Sequence, residues 1–558
     1  MNRTIYIASL LVLLCTSMYA QDGKGYITGS LETNNHYYVA DETTGTTVVG
    51  DPFASNDYLK LDYYEGAFSA GIQLEGYLPA IVGFNEVPSI PALQGIDLSN
   101  IYASWRDDDF SITAGTFYDQ FGSGLLFRSW EDRALGINNA VTGARVTYNY
   151  KDILSLKALW GLPRFGMGVF TSNTVFAGIS VNNTSVHNAS TMVRGADASL
   201  SLSSLMGWQS AYLAVEGSVL SRYEPIAEQL EVEGGNPVST GYSARVNFEK
   251  SGFFARGEYV DAGWKYFGNP NYVWGDENSR QYVGKKGNAQ MLELGYNGRG
   301  LGVTFTGRRI EYMGTTIISA NESRIANTLN YVPALCTQYT YQLTNLHPYS
   351  ANVPAGISRY FNDSGEIGGQ LDAFYNFRRG TLLGGKRGMK VHANFSAWYN
   401  IAQEYGWSFG DIRFRDFSVD VEKQWTKKFK MLLLYTNQKL PEYGLQNAFV
   451  ADLLYKFTDR LSTRVELQYL STDGYMKDWM AGLLEVNFAP AWSIYASDMV
   501  NHGSTGTHYY NFGVSYAKSR TRVALGYGRY KEGKICSGGV CRYTPAYTGA
   551  SLTVTTSF

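Results

Sequence analysis

The last strand of the chain constrains the fold more than any other segment. From Ala550 to Phe558 the residues alternate strictly, and the apolar face reads Ala550, Leu552, Val554, Thr556 and Phe558. A period of two with one mostly apolar face is typical of a β-strand that faces an apolar phase. In bacterial outer-membrane barrels the last strand pairs with the first, and no edge stays open. We therefore predict an all-β barrel and expect Phe558 to be the membrane-assembly signal for the barrel-assembly machinery.

The N-terminus is predicted to be a secretory signal peptide covering residues 1–20. Arg3 supplies a positive region, Ile5 to Leu14 is apolar except for one serine, and small residues precede the predicted cut after Ala20. Cleavage after Ser17 is an alternative. The apolar run is too short to be retained as a spanning helix. This pattern predicts export, and with the terminal strand it predicts the outer membrane of a Gram-negative bacterium.

Composition favours strands over membrane helices. The chain has 43 tyrosines and 60 glycines but only 14 prolines, and tyrosine is both a strand former and a membrane-interface residue. No apolar run after residue 20 approaches the roughly 20 residues of a membrane helix. A net charge of −2 gives no reason to expect nucleic acid as a partner. A membrane assignment therefore requires a barrel.

Alternation continues along almost the whole chain, and its second face carries charge. Val465, Leu467 and Tyr469, for example, alternate with Arg464, Glu466 and Gln468. Charged side chains on one face and apolar ones on the other are typical of strands between a hydrated lumen and lipid. A secreted soluble solenoid or propeller is the alternative, but such folds need internal repeats, and none is visible.

The connections predict a single up-and-down antiparallel barrel. Short turns are expected near residues 65–66, 107–108, 151–152, 205–207, 250–252, 298–300, 378–388, 426–428, 458–460, 489–490 and 518–520. The segments between them are longer, typically about ten to forty residues, as in barrels with short periplasmic turns and long extracellular loops. The count is about 24 strands, with a range of 22–26. Val175 to Val181 is assigned to a loop; if it spanned the membrane, the count would change.

Residues 119–139 are the first candidate for a segment inserted into the lumen. Arg128, Glu131, Asp132 and Arg133 bring opposite charges close together. Folded inward, they would form a charged constriction that selects solutes. The alternative is an ion-paired loop clamped to the barrel wall for rigidity, because structural ion-pair networks are common.

Residues 313–364 are the second candidate. This segment is too long for an ordinary connection, it is rich in leucine and tyrosine, and Pro333, Pro348 and Pro354 disfavour regular strands. A solvated loop does not need so many apolar groups. We therefore predict a plug or lid in the barrel, with an exposed docking surface as the alternative.

The sequence indicates no catalytic, cofactor or metal site. The six histidines are scattered without metal-ligand spacing, and Asp107 to Asp109 is read as an acidic turn more readily than as a cation site. Cys536 and Cys541 enclose a small loop and are a candidate disulfide, with free thiols or pairing to another chain as alternatives. Cys336 is expected to be buried in the plug segment. The protein is therefore predicted not to be an enzyme.

The chain resembles large outer-membrane barrels of the Bacteroidota, in a family of unknown function. The matching stretches are Tyr19 to Gln21, Phe121 to Asn139, Asn330 to Leu335 and Gly365 to Asp372. The resemblance implies the same fold and location but no substrate. The TonB-dependent importers of these bacteria carry an N-terminal plug domain before the barrel, whereas here strand-like alternation begins by about Tyr26. TonB-dependent import is therefore not expected.

The leading prediction is a passive channel or transporter for small solutes. The alternatives are a non-conducting scaffold within a secretion, assembly or surface machine and, on loop length alone, an adhesin. The expected partners are outer-membrane lipid, the barrel-assembly machinery during biogenesis and a possible envelope protein.

Overall fold

The computed structural model describes most of the chain after the N-terminus. The described residues are 25–48, 51–84, 94–164, 175–176, 179–180, 192–223, 236–268, 282–313, 329–351, 365–474, 476–537 and 540–558. The predicted signal peptide, residues 1–20, and parts of the 313–364 segment lie outside these ranges.

Twenty-four strands form one antiparallel sheet. The first twelve, β1 to β12, are Tyr26–Tyr38, Phe53–Glu65, Phe68–Tyr77, Gly95–Arg106, Phe110–Phe117, Val141–Tyr150, Leu154–Pro163, Met192–Ser201, Tyr212–Tyr223, Val238–Lys250, Phe253–Gly268 and Tyr282–Gly298. The second twelve, β13 to β24, are Leu301–Glu311, Glu366–Phe377, Met389–Ile401, Phe409–Gln424, Phe429–Leu440, Gly444–Lys456, Leu461–Thr472, Trp479–Phe488, Trp492–Val500, His508–Lys518, Thr521–Tyr530 and Tyr547–Ser557.

The sheet closes on itself between its first and last strands. Each strand pairs with its neighbours in sequence, and β24 pairs with both β23 and β1. The seam runs in register from Ser30 opposite Ser557 to Tyr38 opposite Gly549. Backbone hydrogen bonds of 2.9 Å in both directions join Gly29 and Phe558 at its end. The predicted all-β barrel of about 24 strands is confirmed.

Alternation separates a polar inner face from an apolar outer face. In β19, Leu467 is 57% exposed, whereas Glu466 and Gln468 on the opposite face are each 7% exposed. Large apolar side chains are exposed in the same way on almost every strand, for example Leu371, Phe449 and Ile494. Since side chains alternate across a strand, the polar side chains line the interior of the barrel. Residues 119–139 and 329–351 pack against them there.

The short turns lie at one end of the barrel, at the predicted positions. One of them contains the helix α1, Leu202–Met206, whose N-terminus is capped by Ser201 and whose C-terminus ends at Gly207 with φ 68°. Within the described residues, no helix is long and apolar enough to cross a membrane.

The connections at the other end are less uniform than predicted. Residues 402–408, 441–443, 473–478 and 501–507 are shorter than the expected range, because strand pairing continues almost to the hairpin tips, as in Leu440 opposite Gly444. Val175–Phe176 pairs with Ile179–Ser180 in a separate hairpin outside the large sheet, which agrees with the loop assignment.

Candidate functional site

Residues 119–139 connect β5 to β6 and form two small hairpins inside the barrel. Gln120–Phe121 pairs with Phe127–Arg128, and Glu131–Asp132 pairs with Ile137–Asn138. Five of its apolar side chains are at most 2% exposed, namely Phe121, Leu125, Leu126, Phe127 and Leu135. Alternation does not explain this burial, which comes from packing against the inner wall.

The same segment contacts strands on different sides of the barrel. Arg133 Nη1 lies 2.9 Å from Glu32 of β1, and Glu131 accepts a 2.8 Å hydrogen bond from Gln73 of β3. Gly122, with φ +53°, packs so closely on Arg245 of β10 that a Cβ there would overlap the guanidinium side chain. The 119–139 segment therefore reaches across the lumen from β1 to β10.

The predicted constriction residues are engaged with each other and with their surroundings. Arg133 bonds Glu131 at 3.2 Å, and Asp132 accepts a 3.0 Å hydrogen bond from the backbone N–H of Leu135. Arg128 lies 4.1 Å from the ring centre of Tyr331. These contacts match the alternative interpretation, an ion-paired loop clamped to the barrel wall. The role of the four residues in solute selection stays a prediction.

Residues 329–351 form a second inserted segment without regular strands. Its buried apolar side chains, each at most 9% exposed, include Leu329, Val332, Leu343, Leu346 and Tyr349. The ring of Tyr349 stacks on Phe414 of β16 at 4.4 Å, and the indole of Trp398 donates to the carbonyl of Leu335 at 2.9 Å. This segment lies against the wall formed by the second half of the barrel.

Polar groups of the 329–351 segment bond to successive strands of the wall. Tyr339 donates to Asp420 of β16 at 2.8 Å, and Tyr341 donates to Asp452 of β18 at 3.0 Å. The backbone N–H of Leu343 reaches the Gln468 side chain of β19 at 3.0 Å. Burial raises the pKa of both phenols, and the carboxylates raise it further. Both hydroxyls therefore stay protonated and act as donors.

The two inserted segments meet across the lumen. The backbone N–H of Arg128 donates to the carbonyl of Leu329 at 2.9 Å, and the N–H of Tyr331 donates to the carbonyl of Gly124 at 2.9 Å. The Asn330 side chain donates to the carbonyl of Leu125 at 3.2 Å. A pair of short backbone bonds plus one side-chain bond joins segments that are about two hundred residues apart in sequence.

An apolar core fills the space around this junction. It unites the inserted apolar residues with inward-facing wall residues from many strands, among them Val193, Val260, Ala289, Ile310 and Trp398. Apolar side chains so closely packed exclude water. At this level the inserted segments and wall residues of strands between β5 and β17 form one apolar core inside the barrel.

Buried ion pairs in the wall were not identified from the sequence. Arg164 forms a bidentate ion pair with Glu75, with hydrogen bonds of 2.9 and 3.0 Å. Arg308 lies 2.9 Å from Glu366, and all four side chains are at most 3% exposed. Tyr349 also bonds Glu366. Inward positions on alternating strands are the only sequence signal for these residues, since their partners lie far away in the chain.

The cysteines occupy two distinct environments. Cys536 lies opposite Cys541 in the hairpin of Gly533–Ser537 and Val540–Thr544, so the predicted disulfide stays a prediction that the backbone register allows. Cys336 lies in the 329–351 segment, where burial raises the pKa of its thiol. Among the described residues, no group of three or more histidine, cysteine, aspartate or glutamate side chains could hold a metal ion.

Comparisons with known proteins give a family but no function. The model of a family of unknown function, DUF6029, matches residues 1–558. No curated protein is similar enough in sequence to match.

Several solved barrels have a similar arrangement of strands. The P pilus usher (PapC) translocation pore is 9% identical, with 95% of this chain and 99% of that chain covered and a TM-score of 0.44. The siderophore receptor PirA from Pseudomonas aeruginosa is 9% identical over 95% and 80%, with a TM-score of 0.39. A mutant Rh. blastica porin is 12% identical over 58% and 93%, with a TM-score of 0.27. At these values the likenesses say nothing about what this chain transports or contacts.

Proposed function

This chain belongs to DUF6029, a family of unknown function, and we propose that it is an outer-membrane barrel that passes small solutes through a gated lumen. Passage is passive and not TonB-dependent in this proposal. The observation that carries it is the junction of the 119–139 and 329–351 segments, whose apolar core lies inside a barrel with a polar inner wall.

The outer surface supports insertion into lipid. Exposed large apolar side chains on nearly every strand form a belt too extensive for a water-soluble monomer. Aromatic side chains lie next to the short turns, including Trp105, Phe253, Trp425, Phe457 and Trp492. Aromatic residues at the ends of an apolar band are typical of outer-membrane barrels, where they sit at the membrane interface.

The attachment of the 329–351 segment supports gating over permanent closure. Its polar anchors on the wall are isolated hydrogen bonds and not a strand ladder: Tyr339 bonds Asp420 and His392, Tyr341 bonds Asp452, and the backbone N–H of Leu343 bonds Gln468. Single hydrogen bonds contribute roughly 0.5–1.5 kcal/mol each. Because none of these bonds belongs to the sheet, release of the segment costs its apolar packing but leaves the strand ladder intact.

Planar-bilayer conductance of the purified protein tests the proposal. The comparison is between the intact chain and a variant in which a glycine–serine linker of equal length replaces residues 329–351. We expect rare, brief openings of the intact chain and sustained conductance of the variant. Folding of both is checked first by resistance of the unboiled protein to SDS.

A matched control replaces residues 501–507, a connection at the same end of the barrel, with a linker of the same composition. This control is expected to conduct like the intact chain. If both the intact chain and the 329–351 variant are folded and neither conducts ions, the channel is refuted.

A non-conducting scaffold is the second candidate, and the apolar core inside the lumen favours it. Packing of this kind stabilises a closed barrel, which a structural role in a secretion, assembly or surface machine would need. The predicted partners, an envelope protein above all, belong to this candidate. A folded, silent barrel that purifies with a stoichiometric partner would support the scaffold.

We also infer that the protein is not an enzyme, since several buried charges of the lumen are engaged with one another, as in the pairs of Glu75 with Arg164 and of Glu366 with Arg308. Turnover of an ester or glycoside by the purified protein, lost on substitution of a lumen side chain, would contradict this inference.

A further inference from the structure

Residues 378–388, which join β14 to β15, form the longest connection at the short-turn end of the barrel. Hydrogen bonds within this turn fix its shape. The backbone N–H of Gly380 donates to the carbonyl of Gly385 at 2.7 Å, and the N–H of Gly388 donates to the carbonyl of Gly384 at 2.8 Å. The turn is therefore folded, and its fold decides which side chains its tip exposes.

The tip of the 378–388 turn exposes two adjacent leucines. Leu382 is 98% exposed, and Leu383 is 51% exposed. Single apolar side chains on a surface are ordinary, but here two of them lie side by side on an ordered turn. Because water is an unfavourable environment for both side chains, contact with an apolar group at this tip would stabilise the protein.

Cations flank the two leucines on both sides. Arg378 and Arg379 precede them, Lys386 and Arg387 follow them, and the turn contains no aspartate or glutamate. The neighbouring turn, residues 425–428, adds two exposed lysines and again no carboxylate. The two turns together therefore present a strongly positive surface around an apolar tip.

The charge of the short turns differs around the rim of the barrel. The turn between β4 and β5 is acidic, with Asp107 to Asp109. Glu422 is the carboxylate nearest in the chain to residues 425–428, and it is already paired with Lys430 at 3.0 Å. The part of the rim between β14 and β17 therefore attracts anions.

The 378–388 turn leans toward the lipid-facing side of the wall. Lys423 lies on the same face of β16 as the exposed Phe417, which is the outer face. From there its Nζ donates to the carbonyl of Leu383 at 2.8 Å and lies 4.6 Å from the ring centre of Trp425. Lysine and aromatic side chains at the end of an apolar band are typical of a membrane interface. The tip thus lies at the level where lipid headgroups would meet the barrel.

We propose that the 378–388 turn and the adjoining lysines bind an anionic phospholipid. The cations match the negatively charged headgroup, and the two leucines match the first carbons of its acyl chains. An acidic protein segment would match the cations but not a pair of leucines on the lipid-facing side. The inference rests on the membrane placement in the proposed function and not on conductance.

Native mass spectrometry of the full-length protein in detergent micelles tests the inference. Titration with phosphatidylglycerol is compared with titration with phosphatidylethanolamine, whose ammonium group cancels the charge of its phosphate. We expect phosphatidylglycerol to bind at least about tenfold more tightly. Equal binding of the two lipids to the folded barrel would overturn the proposal.

Two soluble competitors identify the occupant. Glycerol 3-phosphate carries the charge without acyl chains, and a ten-residue glutamate peptide represents an acidic protein segment. Neither is expected to displace phosphatidylglycerol at equal concentration. Displacement by glycerol 3-phosphate would make the turn a simple anion site, and displacement by the peptide would assign it to a protein partner. Either result would overturn the lipid site.

Matched charge variants locate the site. The first replaces the cations of the turn: Arg378→Gln, Arg379→Gln, Lys386→Gln and Arg387→Gln. The control removes the same charge from other turns at this end of the barrel: Lys250→Gln, Arg299→Gln, Lys518→Gln and Arg520→Gln. We expect the first to weaken phosphatidylglycerol binding about tenfold and the control to leave it unchanged. An unchanged affinity in the first variant, or an equal loss in the control, would overturn the assigned site.

A variant with Leu382→Ser and Leu383→Ser tests the apolar part of the site. It is expected to weaken the binding of both lipids about fivefold and to keep the preference for phosphatidylglycerol, because the cations are unchanged. Full affinity for phosphatidylglycerol in this folded variant would contradict acyl-chain contact at the tip.

Insertion into phospholipid vesicles and conductance separate this inference from the proposed function. A chain that inserts and conducts without preferring phosphatidylglycerol would overturn the lipid site and leave the channel in place. A chain that fails to insert would refute the membrane placement and the lipid site together. A preference for phosphatidylglycerol that the charge variant loses in a silent, folded barrel would support the site and count against the channel.

Discussion

At the level of single residues, the charged side chains of the lumen differ in how deeply their pairs are buried. Glu75 and Arg164 face each other with side chains 2% and 3% exposed, whereas Glu422 and Lys430 form a 3.0 Å pair with side chains 41% and 40% exposed. A buried charge that loses its partner stays desolvated, but an exposed one returns to water.

We therefore predict that Glu75→Gln lowers the free energy of unfolding by about 3–5 kcal/mol. Glu422→Gln, its exposed counterpart, is expected to change it by less than about 1 kcal/mol. Urea unfolding in phospholipid vesicles, followed by tryptophan fluorescence, measures both. Equal effects of the two substitutions would contradict the importance assigned to the buried pair.

At the level of elements, the 329–351 segment depends on side chains for its position, and His347 makes that position sensitive to pH. Its ring stacks on Tyr443 at 3.8 Å. Burial, with the positive charges of Lys531 and Lys534, lowers the pKa of His347 from 6.5 to about 4. The docked segment therefore holds a neutral imidazole, and the released segment holds one that protonates more easily.

We predict that docking of the 329–351 segment is fully stable above about pH 6.5 and weakens as the pH falls toward 4. Within that window the released histidine takes up a proton that the docked one does not. Hydrogen exchange of residues 339–349, corrected for the intrinsic pH dependence, should increase between pH 7 and pH 5. His347→Gln should abolish this increase; the same increase in the variant would assign it to another group.

At the level of the whole molecule, closure of the sheet joins the two ends of the described chain. The seam between β1 and β24 ends at Gly29, where the ring of Phe558 lies so close that an added Cβ would overlap it. Phe558, predicted as an assembly signal, thus also packs at the seam.

Gly29→Val is therefore expected to destabilise the folded barrel by about 1–3 kcal/mol, through overpacking of the seam. Gly257→Val on β11 is the control, since no atom lies within 4 Å of a Cβ added there. The temperature at which the SDS-resistant band disappears measures both. An equal temperature for Gly29→Val and the unchanged protein would mean that the seam relaxes without cost.

Lipid contact is also a property of the whole barrel. Leu467→Arg places a charge at the middle of the outer face of β19 and is expected to destabilise the protein in bilayers by about 2–4 kcal/mol. Ser462→Arg places the same charge on the inner face of that strand, opposite Lys456, and is expected to cost at most about 1 kcal/mol. The free energy of unfolding in phospholipid vesicles is measured for both variants. An unchanged free energy for Leu467→Arg would contradict lipid contact at this face.

The sequence by itself determined the barrel, because its signals are local. The alternation of Ala550 to Phe558 and of the other strands assigns each side chain to a face, and the short turns fix where each strand reverses. All of these features depend on neighbours in the chain.

Only the tertiary structure decided what occupies the lumen, since those contacts join residues that no local pattern relates. The sequence identified Arg128, Glu131, Asp132 and Arg133 as a charged group, but their surroundings include Glu32 and Tyr331, far away in both directions. Glu75 and Arg164 are 89 positions apart, and Tyr341 and Asp452 are 111 apart. Barrel closure brings such residues together, so their pairing follows from the geometry of the closed sheet and not from their spacing in the chain.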